Sequence, residues 1–165
     1  IVTLIDRQGQ CSIINAQLTV ILNDDISDNI MCDLTGSTDL EISLNEGLTS
    51  HGVQLTGDGL GPRVYDCHPR TGLSFIDFPV PMWTQACELA MKAAKVFFPI
   101  RTIGWDIGIT PAGLRIIEGN FWWNSGKKHV GFRRVLELMR NQIDGDIIAD
   151  KKHGQTHNQG DKQNA

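Results

Sequence analysis

The chain reads as an α+β domain, an antiparallel sheet with packed helices. Three features point there: short β-branched stretches separated by glycine-rich turns, one amphipathic helix over residues 83–98, and a long strand–turn–strand pattern over 101–124. At 165 residues the chain amounts to one domain, long enough for a substantial core.

Residues 1–5 form a short apolar strand, 6–10 a turn, and 11–21 a returning strand, which makes a hairpin. A polar loop follows from Asn23 through Asp24, Asp25, Asp28 and Asn29. Residues 40–44, 52–55 and 63–65 are strand-like pieces between turns at Gly47, Gly57, Gly59 and Gly61. The run Gly57-Asp58-Gly59-Leu60-Gly61 lacks the Lys-Ser/Thr end of a phosphate loop and opens no helix, so it reads as a plain loop. Over 83–98, Cys87, 89–91, Ala94 and Phe98 recur at helical spacing and form a core stripe, which Pro99 ends. A second amphipathic helix is expected over 132–143. The domain is assigned to 1–143, and the polar segment 144–165 has the composition of a disordered tail that includes His153 and His157.

The most informative stretch is 101–124, RTIGWDIGITPAGLRIIEGNFWWN. Ile103, Trp105, Ile107 and Ile109 alternate with Gly104, Asp106, Gly108 and Thr110, the period of a strand. On the second arm, Glu118 and Asn120 share a face because they are two apart. A three-residue loop at Pro111-Ala112-Gly113, closed by Thr110 and Leu114, pairs Asp106 with Glu118. Their side chains would then lie roughly 5 Å apart, an arrangement that destabilises a sheet unless a cation lies between them. A divalent ion such as Mg²⁺ is the simplest cation, because it takes carboxylate and amide oxygens. Spacing alone equally fits a surface hairpin with solvated acids. Beyond it, Trp122 and Trp123 point to opposite sides of an extended strand, so at most one enters a site.

Composition is that of an ordinary globular protein, with 41% hydrophobic and 21% charged residues. A net charge of -4 argues against nucleic acid as the main partner. No apolar run reaches the length of a membrane span, and no signal peptide is present. The first residue is Ile1, as in a processed or truncated protein. Cys11, Cys32, Cys67 and Cys87 are scattered and form no C-x-x-C pair, which fits reduced thiols in a cytoplasmic protein.

The pair GWDIGIT and IIEGN resembles the metal-binding end of ATP-grasp enzymes, and the wording is nearest to the ATP-grasp group associated with sugar transfer and polysaccharide biosynthesis, similar to α-L-glutamate ligases. The phrase His68-Pro69-Arg70-Thr71-Gly72, followed by Pro81-x-Trp83, and the loop ending in Asp28-Asn29 match that group as well. The resemblance implies the C-terminal lobe of the fold, with Asp106, Glu118 and Asn120 as ligands of Mg²⁺ (or Mn²⁺) and ATP as cosubstrate. His68 and Arg70 are candidate substrate-binding residues: Arg70 could meet an anion, or His68 could cap a turn beside a solvated arginine. Two departures bear on activity. Thr19 stands where the group tends to place an arginine, and Asp24 and Asp25 stand where it tends to place glycines.

The resemblance further implies a carboxylate–amine ligase that works through an acylphosphate, with small-molecule carboxylate and amine substrates. The lobe that carries the adenine contacts and the phosphate-binding lysines would precede residue 1, and the isolated chain would be inactive. A non-catalytic binding or scaffold module derived from such a lobe is the alternative. A metal nuclease would carry a lysine two residues after the second acid, where Asn120 stands here.

Overall fold

The computed structural model describes residues 1–23, 36–54 and 61–123, together with 137 and 140. Its elements follow the order β1 (Val2–Ile5), β2 (Cys11–Asn15), β3 (Gln17–Ile21), β4 (Ser37–Ile42), β5 (Thr49–Gln54), β6 (Arg63–Tyr65), α1 (Trp83–Val96), β7 (Thr102–Thr110) and β8 (Gly113–Asn120). The strands form two four-stranded sheets, β2-β1-β7-β8 and β3-β4-β5-β6, and every pairing is antiparallel. The α+β class therefore holds, with the strands divided between two sheets instead of gathered in one.

The division occurs at one residue. Residues 11–21, expected as a single strand, break at Ala16: β2 pairs with β1, and β3 pairs with β4. The β1 ladder ends where Val2 faces Asn15, after a register irregularity, so the chain beyond must find a new partner. Ala16 is buried against Ile42 and Val80, and its carbonyl accepts the Ile42 N–H at 3.1 Å. This bend sets the two sheets side by side and positions the cleft described below.

The piece expected over 40–44 begins earlier, at Ser37, and ends at Ile42. There the chain turns, with the Gly47 N–H bonded to the Ser43 carbonyl at 2.7 Å. Gly47 has φ +70°, and a Cβ there would run into the Trp83 ring. The strand expected over 52–55 starts at Thr49, and β6 falls where expected.

Helix α1 covers one face of the first sheet through part of the expected stripe, Ala90 and Ala94, joined by Ala86. Its buried residues are Ala86, Ala90 and Ala94, one per turn, while Phe98 is exposed and Cys87 and Leu89 are half-buried. The bulk in this interface comes from the sheet, where Ile5, Ile103 and Trp105 pack on Ala90 and Ala94. Small helix residues let the backbone approach those large side chains closely. Trp105 is tied down further, since its Nε1–H donates to Thr3 Oγ1 at 2.9 Å and that hydroxyl donates to the Ile103 carbonyl at 3.2 Å.

The loop around Asp28-Asn29 (with Asp24 and Asp25), Cys32, the glycine run over 57–60 and the segment 144–165 lie outside the described residues. Of the helix expected over 132–143, Glu137 and Arg140 are described, and both are helical and exposed. No described helix is long and apolar enough to cross a membrane.

Candidate metal centre

The β7–β8 hairpin turns more tightly than the three-residue loop expected from the sequence. Thr110 pairs with Gly113, so Pro111 and Ala112 alone form the loop and Gly113, at φ +101°, already belongs to the strand. The Thr110 hydroxyl closes this turn by donating to the Gly113 carbonyl at 2.7 Å and accepting the Ala112 N–H at 3.2 Å.

This register has a consequence for the acids. From the turn, Ile109 faces Leu114, Gly108 faces Arg115 and Ile107 faces Ile116. Continued unchanged, it would set Glu118 opposite Trp105, on the face that α1 covers. Instead the register shifts by one residue between Asp106 and Ile107, leaving Ile117 as a bulge. Asp106 then faces Glu118, Trp105 faces Gly119 and Gly104 faces Asn120. The pairing expected from the sequence is thus present, reached by a tighter turn plus a bulge.

Residues directly opposite in an antiparallel ladder share a face. Asp106, Glu118 and Asn120 therefore project from the face of the sheet away from α1. Asn120 Nδ2 donates to Glu118 Oε1 at 2.8 Å, which leaves the amide oxygen and the second carboxylate oxygen as acceptors. Asp106 and Asn120 line a cleft of about 370 Å³ between the two sheets, while Glu118 stands exposed at its side. Among the described residues no cluster of three or more His, Cys, Asp or Glu side chains could hold a metal by itself. The donor set here is instead two carboxylates and one carboxamide, all-oxygen chemistry that fits a hard divalent cation such as Mg²⁺ or Mn²⁺. On that ground the residues fit the ion.

The other wall of the cleft comes from the second sheet and contributes Thr19 and Asp39, which face each other across the β3–β4 ladder. Thr19 Oγ1 donates to Asp39 Oδ1 at 3.0 Å. Asp39 escaped the sequence reading. The alternation in Ser37-Thr38-Asp39-Leu40-Glu41-Ile42 places Asp39 and Glu41 on one face, yet Asp39 is buried and Glu41 exposed. Nothing in the strand sequence Ser-Thr-Asp-Leu-Glu-Ile separates the two acids, so no signal in the sequence singled out Asp39. Trp122 and Trp123 both line the cleft, contrary to the expectation that at most one would, because the chain bends at 121–122 instead of running on as a strand. Trp123 is seated on Gly104, where a Cβ would lie 2.5 Å from the Trp123 Cβ.

His68 and Arg70 do not line this cleft. His68 Nε2–H donates to the Ile21 carbonyl at 3.0 Å, and Nδ1 accepts the backbone N–H groups of Arg70 at 3.2 Å and Thr71 at 3.4 Å. These partners fix the ring tautomer and make His68 a staple between the end of β3 and the 68–72 turn. Arg70 lies on that turn, exposed. Elsewhere, burial pushes the Cys11 thiol above its ordinary pKa, with Lys95 opposing, and burial does the same to Cys87.

A family model described as sugar-transfer associated ATP-grasp matches residues 1–142. No curated protein and no solved structure matches the chain.

Proposed function

The chain belongs to the sugar-transfer associated ATP-grasp family, and from that premise we propose that Asp106, Glu118 and Asn120 form the metal site of an ATP-dependent carboxylate–amine ligase. The observation that carries the reading is the direct opposition of Asp106 and Glu118, with Asn120 bonded to Glu118, at one side of a cleft.

In the proposed reaction a substrate carboxylate oxygen attacks the γ-phosphorus of ATP and ADP leaves. An amine then attacks the acyl carbon of the acylphosphate and phosphate leaves. Mg²⁺ or Mn²⁺, when bound, supplies the positive charge that the phosphates require. Asp106 and Glu118 provide the anionic oxygens for that ion. Asn120 orients Glu118 through its Nδ2–H and offers its own amide oxygen. The bulge at Ile117 keeps all three on one face. His68 holds the turn bearing Arg70, which is the cation we propose for an anionic substrate group.

The described cleft lining contains no Lys, Arg or His side chain. Phosphoryl transfer is mostly positioning and electrostatic clamping, so the cations that grip ATP must come from outside this lining. We assign them to a further lobe of the same protein, and expect residues 1–165 alone to turn over no ATP. The three described cysteines are free thiols, which supports placing the protein in the cytoplasm.

A second reading, a binding or scaffold module without catalysis, draws support from Thr19. It is bonded to a buried carboxylate where an arginine would serve anionic phosphates. Mg²⁺-dependent ATP turnover by the full-length protein separates the two. The ligase reading expects Asp106→Asn and Glu118→Gln each to lower it by about 100-fold or more. Unchanged turnover in both variants would end that reading.

A further inference from the structure

The cleft does not account for the corner at which α1 ends and the chain turns into β7. There Val96 is 77%, Phe97 51% and Phe98 62% exposed, three adjacent apolar side chains in water, followed by exposed Pro99. One exposed apolar residue is ordinary on a protein surface, whereas a contiguous run marks a contact surface. The corner is held in place. The Phe97 ring meets buried Trp105 edge-on at 5.7 Å. The Phe97 N–H bonds to the Ala94 carbonyl at 3.2 Å, and the Ile100 N–H to the Phe97 carbonyl at 3.0 Å.

Exposed cations flank this run. Lys92 and Lys95 lie on the side of α1 away from buried Ala90 and Ala94, and Lys92 is one turn before Val96. Arg101 follows the corner, where its carbonyl accepts the Ile5 N–H at 2.8 Å. Ile5 faces Cys11 across the β1–β2 ladder, and the Lys95 charge is felt at the Cys11 thiol, so Lys95 and Arg101 stand at the same end of the first sheet. The adjoining β1–β2 turn adds one charge of each sign, Asp6 and Arg7, and Glu88 lies a turn farther back on α1. The helix dipole explains Lys95 in the last turn, but neither Arg101 nor the apolar run between them.

An acidic peptide would engage the cations and leave the apolar run in water. An apolar protein groove would take the run and gain nothing from the cations. A bilayer with anionic headgroups answers both, since apolar side chains enter the headgroup–acyl boundary while Lys and Arg meet the lipid phosphates. The backbone suits that environment as well: Phe97 and Ile100 bond their N–H groups internally and Pro99 has none, so these positions give up no bond to water. We propose that this corner docks the protein on an anionic phospholipid surface, with Val96 and Phe98 inserted and Lys92, Lys95 and Arg101 on the headgroups. The inference is independent of the ligase reading. Asp106 lies roughly 16 Å farther along β7 and projects from the face away from α1, so docking leaves the cleft open.

The test is co-sedimentation of residues 1–165 with vesicles of phosphatidylcholine alone and with vesicles in which about a third of the lipid is phosphatidylglycerol. Binding to the anionic vesicles should be stronger by about tenfold or more and should fall as salt is raised. Phe98→Ser should weaken it by about fivefold. Combined Lys92→Gln, Lys95→Gln and Arg101→Gln should reduce it to the level of the neutral vesicles. These substitutions change exposed side chains, and if one variant fails to fold by circular dichroism the other decides. No binding, equal binding to both vesicle types, or unchanged binding in a folded variant would overturn the proposal. So would oligoglutamate bound as tightly as the anionic vesicles and retained by Phe98→Ser, which assigns the corner to an acidic protein partner. Self-association in sedimentation velocity that Phe98→Ser abolishes would assign it to a second copy of the chain and overturn the proposal too.

Discussion

Asp106 and Glu118 face each other across the β7–β8 ladder because Ile117 is an extra residue in β8. The two-residue turn fixes one register and the acids need the next, and the bulge converts one into the other. Removing Ile117 should restore a regular ladder that still sets Glu118 opposite Asp106. Adding an alanine between Ile116 and Ile117 should displace Glu118 by one position, toward the covered face. Mn²⁺ affinity is expected within about threefold of the parent for the deletion, and at least about tenfold weaker for the insertion. Equal losses in both, with folding preserved by circular dichroism, would show that the bulge does not set the site.

Thr3 is fully buried and serves both Trp105 and the Ile103 carbonyl. Thr3→Val keeps the shape but leaves the indole N–H without an acceptor, at a cost of about 1–3 kcal/mol in urea unfolding. Thr3→Ser retains the hydroxyl and should recover most of that loss. Similar losses for both would assign the effect to packing.

Gly47→Ala should be more damaging than an ordinary surface substitution. The residue lies at φ +70°, and the added methyl meets Trp83 at the start of α1. We expect about 1–3 kcal/mol of destabilisation, read from the same unfolding curves.

The thiols should label in a fixed order. Burial raises the pKa of Cys11 and Cys87 above the ordinary thiol value, so their reactive thiolate fraction at neutral pH is reduced, and both are partly shielded. Cys67 is exposed. Iodoacetamide at pH 7.5, roughly a unit below the unperturbed thiol pKa, should modify Cys67 before Cys11 and Cys87 by mass spectrometry, with the latter two accelerating as the pH rises. Early modification of Cys87 would contradict the packing around α1.

The β7–β8 hairpin was legible because its alternation is long and its turn residues are distinctive, and the facing of Asp106 and Glu118 followed. The turn length was not, since Gly113 can end a three-residue loop or begin a strand with the same positive φ. The break at Ala16 was hidden because both halves, Cys11–Asn15 and Gln17–Ile21, have strand character and differ only in which partner is available. In α1 the expected stripe held Ala90 and Ala94 but also Leu89 and Phe98, and it is the small residues that pack on Ile103 and Trp105 while Leu89 is half-buried and Phe98 exposed. Asp39 and Glu41 look alike in sequence, yet Asp39 is buried on the cleft lining and Glu41 stands in water.

Binding of Mn²⁺ to residues 1–165, followed by paramagnetic broadening in the NMR spectrum, tests the metal site most directly. A few oxygen ligands without nucleotide phosphates should hold the ion weakly, because it keeps most of its waters. Even so, Asp106, Glu118 and Asn120 should broaden first and together, and Glu118→Gln should abolish the effect at all three. Broadening that begins elsewhere, or that persists unchanged in Glu118→Gln, would contradict the assignment of this hairpin as the metal site.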